Sequence, residues 1–139
     1  MRARVPAAAR DLIEDTDAPV YVSRASLWEI AIKVNLGKLR VDLPRFCERV
    51  AADGFSWLSI ENAHILRVAA ALPAFADHKD PFDRLLVAQS LSEPLVLLTA
   101  DARLAAVRFA WYRSFQGVWR QCCLIPIPYP PPTPSVFRF

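Results

Sequence analysis

The sequence predicts an α/β domain in which helices flank a central parallel sheet. Two short runs read as strands: "PVYV" at 19–22, β-branched and aromatic, and "LVLLT" at 95–99, apolar throughout. Stretches with helical spacing lie between them, each bounded by a capping residue, a proline or a glycine. Alternation of this kind closes through right-handed β–α–β crossovers, which makes the strands parallel. "LVLLT" has no polar face, as an interior strand covered on both sides requires.

In chain order, Pro6 suits the first position of a short helix through "AAARDLIED". After strand 19–22, Ser23 or Ser26 is placed to cap a helix through "LWEIAIKVNL" that stops at Gly37. That helix is apolar almost all round, which predicts extensive burial. Pro44 opens a helix over 43–53, ended by Gly54, and "FSWLSI" at 55–60 is a strand or an extended connector. "ENAHILRVAAAL" continues as helix up to Pro73. A helix over about 81–92 starts from "DHKDPFDRLLVAQS", strand 95–99 follows, and "ARLAAV" forms a last short helix. Beyond about residue 108 the pattern fails. The remainder has no acidic residue, and six of the chain's 12 prolines fall within 126–134. "IPIPYPPPTP" suits a polyproline-like stretch and not a central strand. The expected organisation is therefore a domain over 1–107 and a divergent appendage over 108–139.

With 139 residues the chain has room for about one domain and a buried core. No apolar run reaches the ~18–20 residues of a membrane span. Arg10 and Asp11 interrupt any secretory apolar region near the start. Cys47 and the adjacent Cys122 and Cys123 form neither a disulfide framework nor a CxxC motif, so a cytoplasmic setting is expected. The formal charge of +3 belongs to the tail, because all 14 acidic residues lie at or before Asp101. It gives no argument that the core binds nucleic acid. Dinucleotide, P-loop and serine-hydrolase chemistry are excluded by the lack of GxGxxG, GxxxxGK[ST] and GxSxG.

Three acids remain as candidates, each at a strand end or a helix start. Glu29, taken alone, makes an i,i+4 pair with Lys33 worth about 0.2–0.5 kcal/mol. Asp83 is the third residue of a helix that Asp80 caps, with Pro81 at its first position. Asp101 follows "LVLLT" and is placed to cap the next helix. Together they fall where the carboxyl edge of a parallel sheet gathers ligands. Carboxylates held close repel one another unless a cation joins them, and hard oxygen donors select Mg²⁺ or Mn²⁺. Such an ion activates water and supports displacement at phosphorus. Asp77, Asp80 and Asp83 lack the alternation and the glycine of a calcium loop. His64 reads as a surface or core residue, and His78 as a loop residue near the acids.

"VYVSRASLWEIAIKVNLGKL", "LPAFADHKDPFDRLLVAQSL" and "LLTADARL" together resemble the PIN-domain nucleases, specifically the VapC-like toxins of bacterial toxin–antitoxin pairs. The likeness covers roughly residues 6–107, and "WEIAIK" with "DPFDRLLVAQ" is its most specific part. It implies an α/β/α sandwich and a Mg²⁺- or Mn²⁺-dependent ribonuclease acting on RNA and neutralised by a cognate VapB-like antitoxin. A homodimer is a further partner expectation. The family's acidic site carries over to Glu29 in "LWEI", Asp83 in "DPFDR" and Asp101 in "TAD". Arg84, Lys33 and Arg24 are candidates for contacting RNA phosphate.

The chain departs from the family pattern at both ends. The resemblance expects an opening buried strand that ends in an aspartate, and this sequence takes up the pattern after that segment. Asp11, Glu14, Asp15 and Asp17 do not match it. The expectation is thus a sandwich lacking its usual first strand, with impaired cleavage. The alternative is an inactive remnant that binds an antitoxin or a sister toxin. Phe115, Trp119 and Cys122 are candidates to cover the apolar surface such a strand would have covered. A receiver-like or phosphatase-like domain also gathers acids at strand ends, but it needs an aspartate ending an early strand, and none is present.

Overall fold

A computed structural model of the protein describes residues 13–14, 19–70, 79–93, 95–99, 112–114 and 123–126. Apart from Ile13 and Glu14, which are helical, the expected first helix lies outside these residues. So do Asp77, His78 and the helix expected at 102–107. The described elements are β1 (Tyr21–Ser23), α1 (Arg24–Asn35), α2 (Leu43–Ala52), β2 (Ser56–Leu58) and α3 (Asn62–Ala69). They are followed by α4 (Pro81–Ser92), β3 (Leu95–Thr99), β4 (Tyr112–Ser114) and β5 (Cys123–Pro126).

Local chemistry explains most boundaries. Ser23, not Ser26, caps α1: its hydroxyl accepts from the Ala25 N–H at 3.0 Å. At the other end Gly37 takes φ 69°, a left-handed value that suits only a residue without Cβ. This lets the Gly37 N–H reach Val34 O at 3.0 Å and the Lys38 N–H reach Lys33 O at 2.9 Å, closing the helix on its own carbonyls. Gly54 ends α2 in the same way, with bonds from the Gly54 and Phe55 N–H groups to Ala51 and Val50. Asp80 Oδ1 caps α4 by accepting from the Phe82 and Asp83 N–H groups at 2.9 and 3.1 Å.

Helix α4 is the hub of the fold. Leu85, Leu86, Val87, Ala88, Gln89 and Ser90 are buried in succession, so the helix is covered on all sides through its middle turns. Leu85, Leu86 and Val87 form the core with Ala25 of α1 and Leu95 and Leu97 of β3. Tyr21, Leu58, Ile60, Val68 and Leu91 pack around this cluster. At about 25 cal/mol per Å² of apolar surface, each fully buried leucine contributes roughly 2 kcal/mol. Ser90 Oγ donates to Leu95 O at 2.5 Å and fastens the end of α4 to the start of β3.

The five strands form one sheet in the order β2-β1-β5-β3-β4. β1 pairs with β2, and β3 with β4, in parallel. The α/β architecture is as the sequence predicts. The structure adds one antiparallel strand, β5, which lies between the two parallel pairs and bonds to both β1 and β3.

Two expectations are corrected. The segment over 108–139 is not a free appendage, since it supplies β4 and the central β5. "CLIP" can serve as a central strand because its one proline is its last residue, where a missing N–H is tolerated. The proline-rich run begins only there. Phe115, Trp119 and Cys122 lie outside the described residues. The second correction concerns α1, where only Ala25, Ser26 and Ile30 are buried. Trp28, Ile32 and Leu36 are 55, 38 and 59 % exposed. The side of α1 that carries Ala25, Ser26 and Ile30 is covered, while Ile32, the C-cap residue Leu36 and part of Trp28, whose ring meets Phe82, stay exposed.

Candidate functional site

Glu29 sits in the second turn of α1 and Asp83 in the first turn of α4, both half-buried. Two contacts define how these helices meet. Ser23, at the start of α1, bonds to Gln89 in the later part of α4. Further along α1, Trp28 meets Phe82 near the start of α4, edge to face, with ring centroids 5.1 Å apart. Partners thus advance along one helix as they retreat along the other, so the helices run antiparallel. Glu29 follows Trp28 in the chain and Asp83 follows Phe82, so each acid is the sequence neighbour of a residue in this contact. Asp101 lies outside the described residues, just beyond the end of β3.

The local partners refine the sequence expectations. Glu29 makes the predicted ion pair with Lys33 on its own helix. Asp80 provides the side-chain cap of α4, and Asp83 is the third residue of that helix. Of the basic candidates, Arg24 stacks over Trp57, 5.5 Å from the ring centroid. Lys33 holds Glu29. Arg84 is half-buried, and its Nε is shielded from solvent without a hydrogen-bond partner. An orphaned donor there suits an anionic oxygen, since burying it unmet costs about 1–3 kcal/mol.

His64 is a core residue, fully buried at the start of α3. Its Nδ1 accepts from the Glu61 N–H at 3.0 Å, and its Nε2 lies 2.7 Å from Glu93 Oε1.

Sequence reasoning missed Gln89. It is fully buried, and its partners are the last residue of β1 and the residue after β2. Ser23 Oγ donates to Gln89 Oε1 at 2.5 Å, and Gln89 Nε2 donates to Ser59 O at 3.1 Å. The signal was available, because a glutamine inside "LLVAQSL" is tolerated in an apolar helix only when its amide is bonded.

Among the described residues, no three His, Cys, Asp or Glu side chains form a group that would hold a metal ion. Carboxylates such as those of Glu29 and Asp83 are hard-oxygen donors, a type that suits Mg²⁺ or Mn²⁺ and not a soft ion. Among the described residues, no helix is long and apolar enough to cross a membrane.

Comparison with known proteins agrees with this architecture. The model of the PIN domain matches residues 4–110, well over half of the chain. No curated protein matches the chain, and neither does any solved structure. PIN domains are generally nucleases and typically use divalent metal ions. With an α/β fold and a family match over most of its length, this chain belongs to the PIN domain family.

Proposed function

We propose that the chain is a Mg²⁺- or Mn²⁺-dependent ribonuclease of the VapC toxin type, with cleavage impaired. The observation that supports the reading is the antiparallel contact of α1, the helix of Glu29, with α4, the helix of Asp83. Glu29, Asp83 and Asp101 are the residues that would hold the ion. When bound, the ion would lower the pKa of a water and stabilise negative charge on the phosphate. Lys33 neutralises Glu29 when no cation is present, and the unmet Nε of Arg84 is placed to receive a phosphate oxygen. An RNA substrate in the cytoplasm completes this reading.

The composition of the strand at the centre of the sheet supports the impairment. The strand between β1 and β3 is Cys-Leu-Ile-Pro, and no acidic residue follows Asp101 anywhere in the chain. The strand position flanked by the ends of β1 and β3 therefore contributes no carboxylate. Groups that act as a unit fail together, so a missing ligand can cost orders of magnitude in rate.

The same observation favours a second reading, a non-cleaving module that binds an antitoxin or a sister toxin. The exposed apolar surface of Trp28, Ile32 and Leu36 supports a protein partner.

The test is cleavage of a structured RNA by the purified 139-residue chain in Mg²⁺ or Mn²⁺, beside Asp83→Asn. Slow cleavage that EDTA and Asp83→Asn both abolish supports the nuclease. No cleavage, with retained binding of antitoxin, supports the module. Cleavage that survives EDTA or Asp83→Asn refutes the assigned site.

A further inference from the structure

We infer that Gln89 is the positioning residue of the acidic site. It sets the register of α1 against α4, and with it the placement of Glu29 relative to Asp83. The inference rests on the metal-site reading above, and it deepens that reading.

The hydrogen bonds around Gln89 have only one consistent direction. Ser59 contributes a backbone carbonyl, which can only accept, so the amide nitrogen of Gln89 must face it, at 3.1 Å. The amide oxygen then faces Ser23 and can only accept. Ser23 has a single hydroxyl hydrogen and must donate it there, at 2.5 Å. Its oxygen remains as acceptor for the Ala25 N–H, at 3.0 Å. The chain therefore runs from Ala25 through Ser23 to Gln89, and from Gln89 on to Ser59. No group in it can be reversed without setting donor against donor or acceptor against acceptor.

This chain links the parts that carry the site. Ser23 is both the last residue of β1 and the cap of α1, the helix of Glu29. Ser59 follows β2 directly. Gln89 belongs to α4, the helix of Asp83. Ser23 and Gln89 are fully buried, so no water replaces either partner when one is removed. The apolar packing around them tolerates sliding more readily, because Leu85, Leu86 and Ala25 impose no directional bond. A directed polar chain in a dry interior selects one helix register among several of similar packing energy. The Trp28–Phe82 ring contact holds the far end of the seam, beside Glu29 and Asp83. Two anchors define a line, and Gln89 is the polar one.

The experiment uses the full chain and three variants: Gln89→Leu, Ser23→Ala and Ser23→Thr. Gln89→Leu keeps similar bulk and removes both bonds. Ser23→Ala removes one bond and the helix cap, whereas Ser23→Thr retains the hydroxyl. Mn²⁺ affinity is read by calorimetry, and hydrogen exchange by mass spectrometry over 24–30, 81–86 and, as a control, α2. Expected for Gln89→Leu and Ser23→Ala are a loss of Mn²⁺ affinity of about 10- to 100-fold and faster exchange at 24–30 and 81–86. Exchange in α2 should not change, and Ser23→Thr should behave as the parent. A Gln89→Leu variant that melts cooperatively and keeps the parent's Mn²⁺ affinity and seam exchange overturns the inference. Equal acceleration in α2 also overturns it, since Gln89 then supports the fold in general. A parent chain that binds no Mn²⁺ refutes the metal-site reading instead. The exchange data still decide whether Gln89 sets the seam, and Ser23→Ala provides the same comparison if Gln89→Leu does not fold.

Discussion

His64 and Glu93 join α3 to the end of α4, with the buried imidazole Nε2 2.7 Å from the carboxylate Oε1. The Glu61 N–H donates to Nδ1, so the neutral ring carries its hydrogen on Nε2 and donates it to Glu93. One side chain thus caps α3 and braces α4, which places Asp83 and Gln89. His64→Ala removes both bonds and leaves a cavity, and should cost about 3 kcal/mol of stability. Glu93→Gln keeps an accepting oxygen at a half-exposed position and should cost less than about 1 kcal/mol. Urea unfolding midpoints check the contrast. Equal losses would show that the bond to Glu93 carries most of the effect.

Asp80 caps α4, and the proposed function gives Asp83, three residues on, a different role. Asp80→Ala removes the acceptor for two N–H groups of α4 and should cost about 1 kcal/mol of stability. Asp83→Asn should leave the cap in place and weaken Mn²⁺ binding. Thermal melts and calorimetry on the two variants should therefore dissociate. If Asp83→Asn lost more stability than Asp80→Ala and no Mn²⁺ affinity, Asp83 would be a structural residue.

Lys33 pairs with Glu29, and under the proposed function this pair would compete with a cation for the same carboxylate. As an i,i+4 pair on a helix it is worth only about 0.3–0.5 kcal/mol. Lys33→Met should accordingly lower stability by no more than that while tightening Mn²⁺ binding. Weaker Mn²⁺ binding in this variant would remove Glu29 from the proposed ligand set.

β5 is the seam between two parallel pairs, because Leu124 pairs with both Tyr21 and Leu97. Deleting residues 108–139 opens two facing sheet edges at once, and unpaired edges recruit other strands. The truncated chain should lose its cooperative melt or self-associate, as read by calorimetry and light scattering. Leu124→Pro, which removes an N–H from a central strand, should have the same effect in milder form. A stable monomeric 1–107 fragment would return the tail to the role of an appendage.

Much of the fold was legible because its signals are local. Asp80-Pro81 before an apolar run predicted α4 over 81–92, and "LVLLT" predicted β3 at 95–99, as observed. Gly37 and Gly54 marked two helix ends, since their positive φ is a requirement of the backbone at that point. Of the site, the sequence supplied the acid types and their nearness to element ends, with Glu29 and Asp83 each on the helix expected.

What tertiary structure decided are the pairings between residues far apart in the chain. Ser23 and Gln89 are separated by 66 positions, and nothing near either residue names the other. Whether "CLIP" joins a sheet depends on an open position between β1 and β3, which is a property of the assembled strands and not of those four residues. The exposed side of α1 has the same origin. Its sequence is apolar almost all round, and which side is covered depends on where β1 and α4 stand. Capping and turn chemistry act within a few residues, so the sequence determined the elements and their ends. Register, strand order and burial are set by which apolar surfaces meet, so only the folded chain determined how the helices of Glu29 and Asp83 come together.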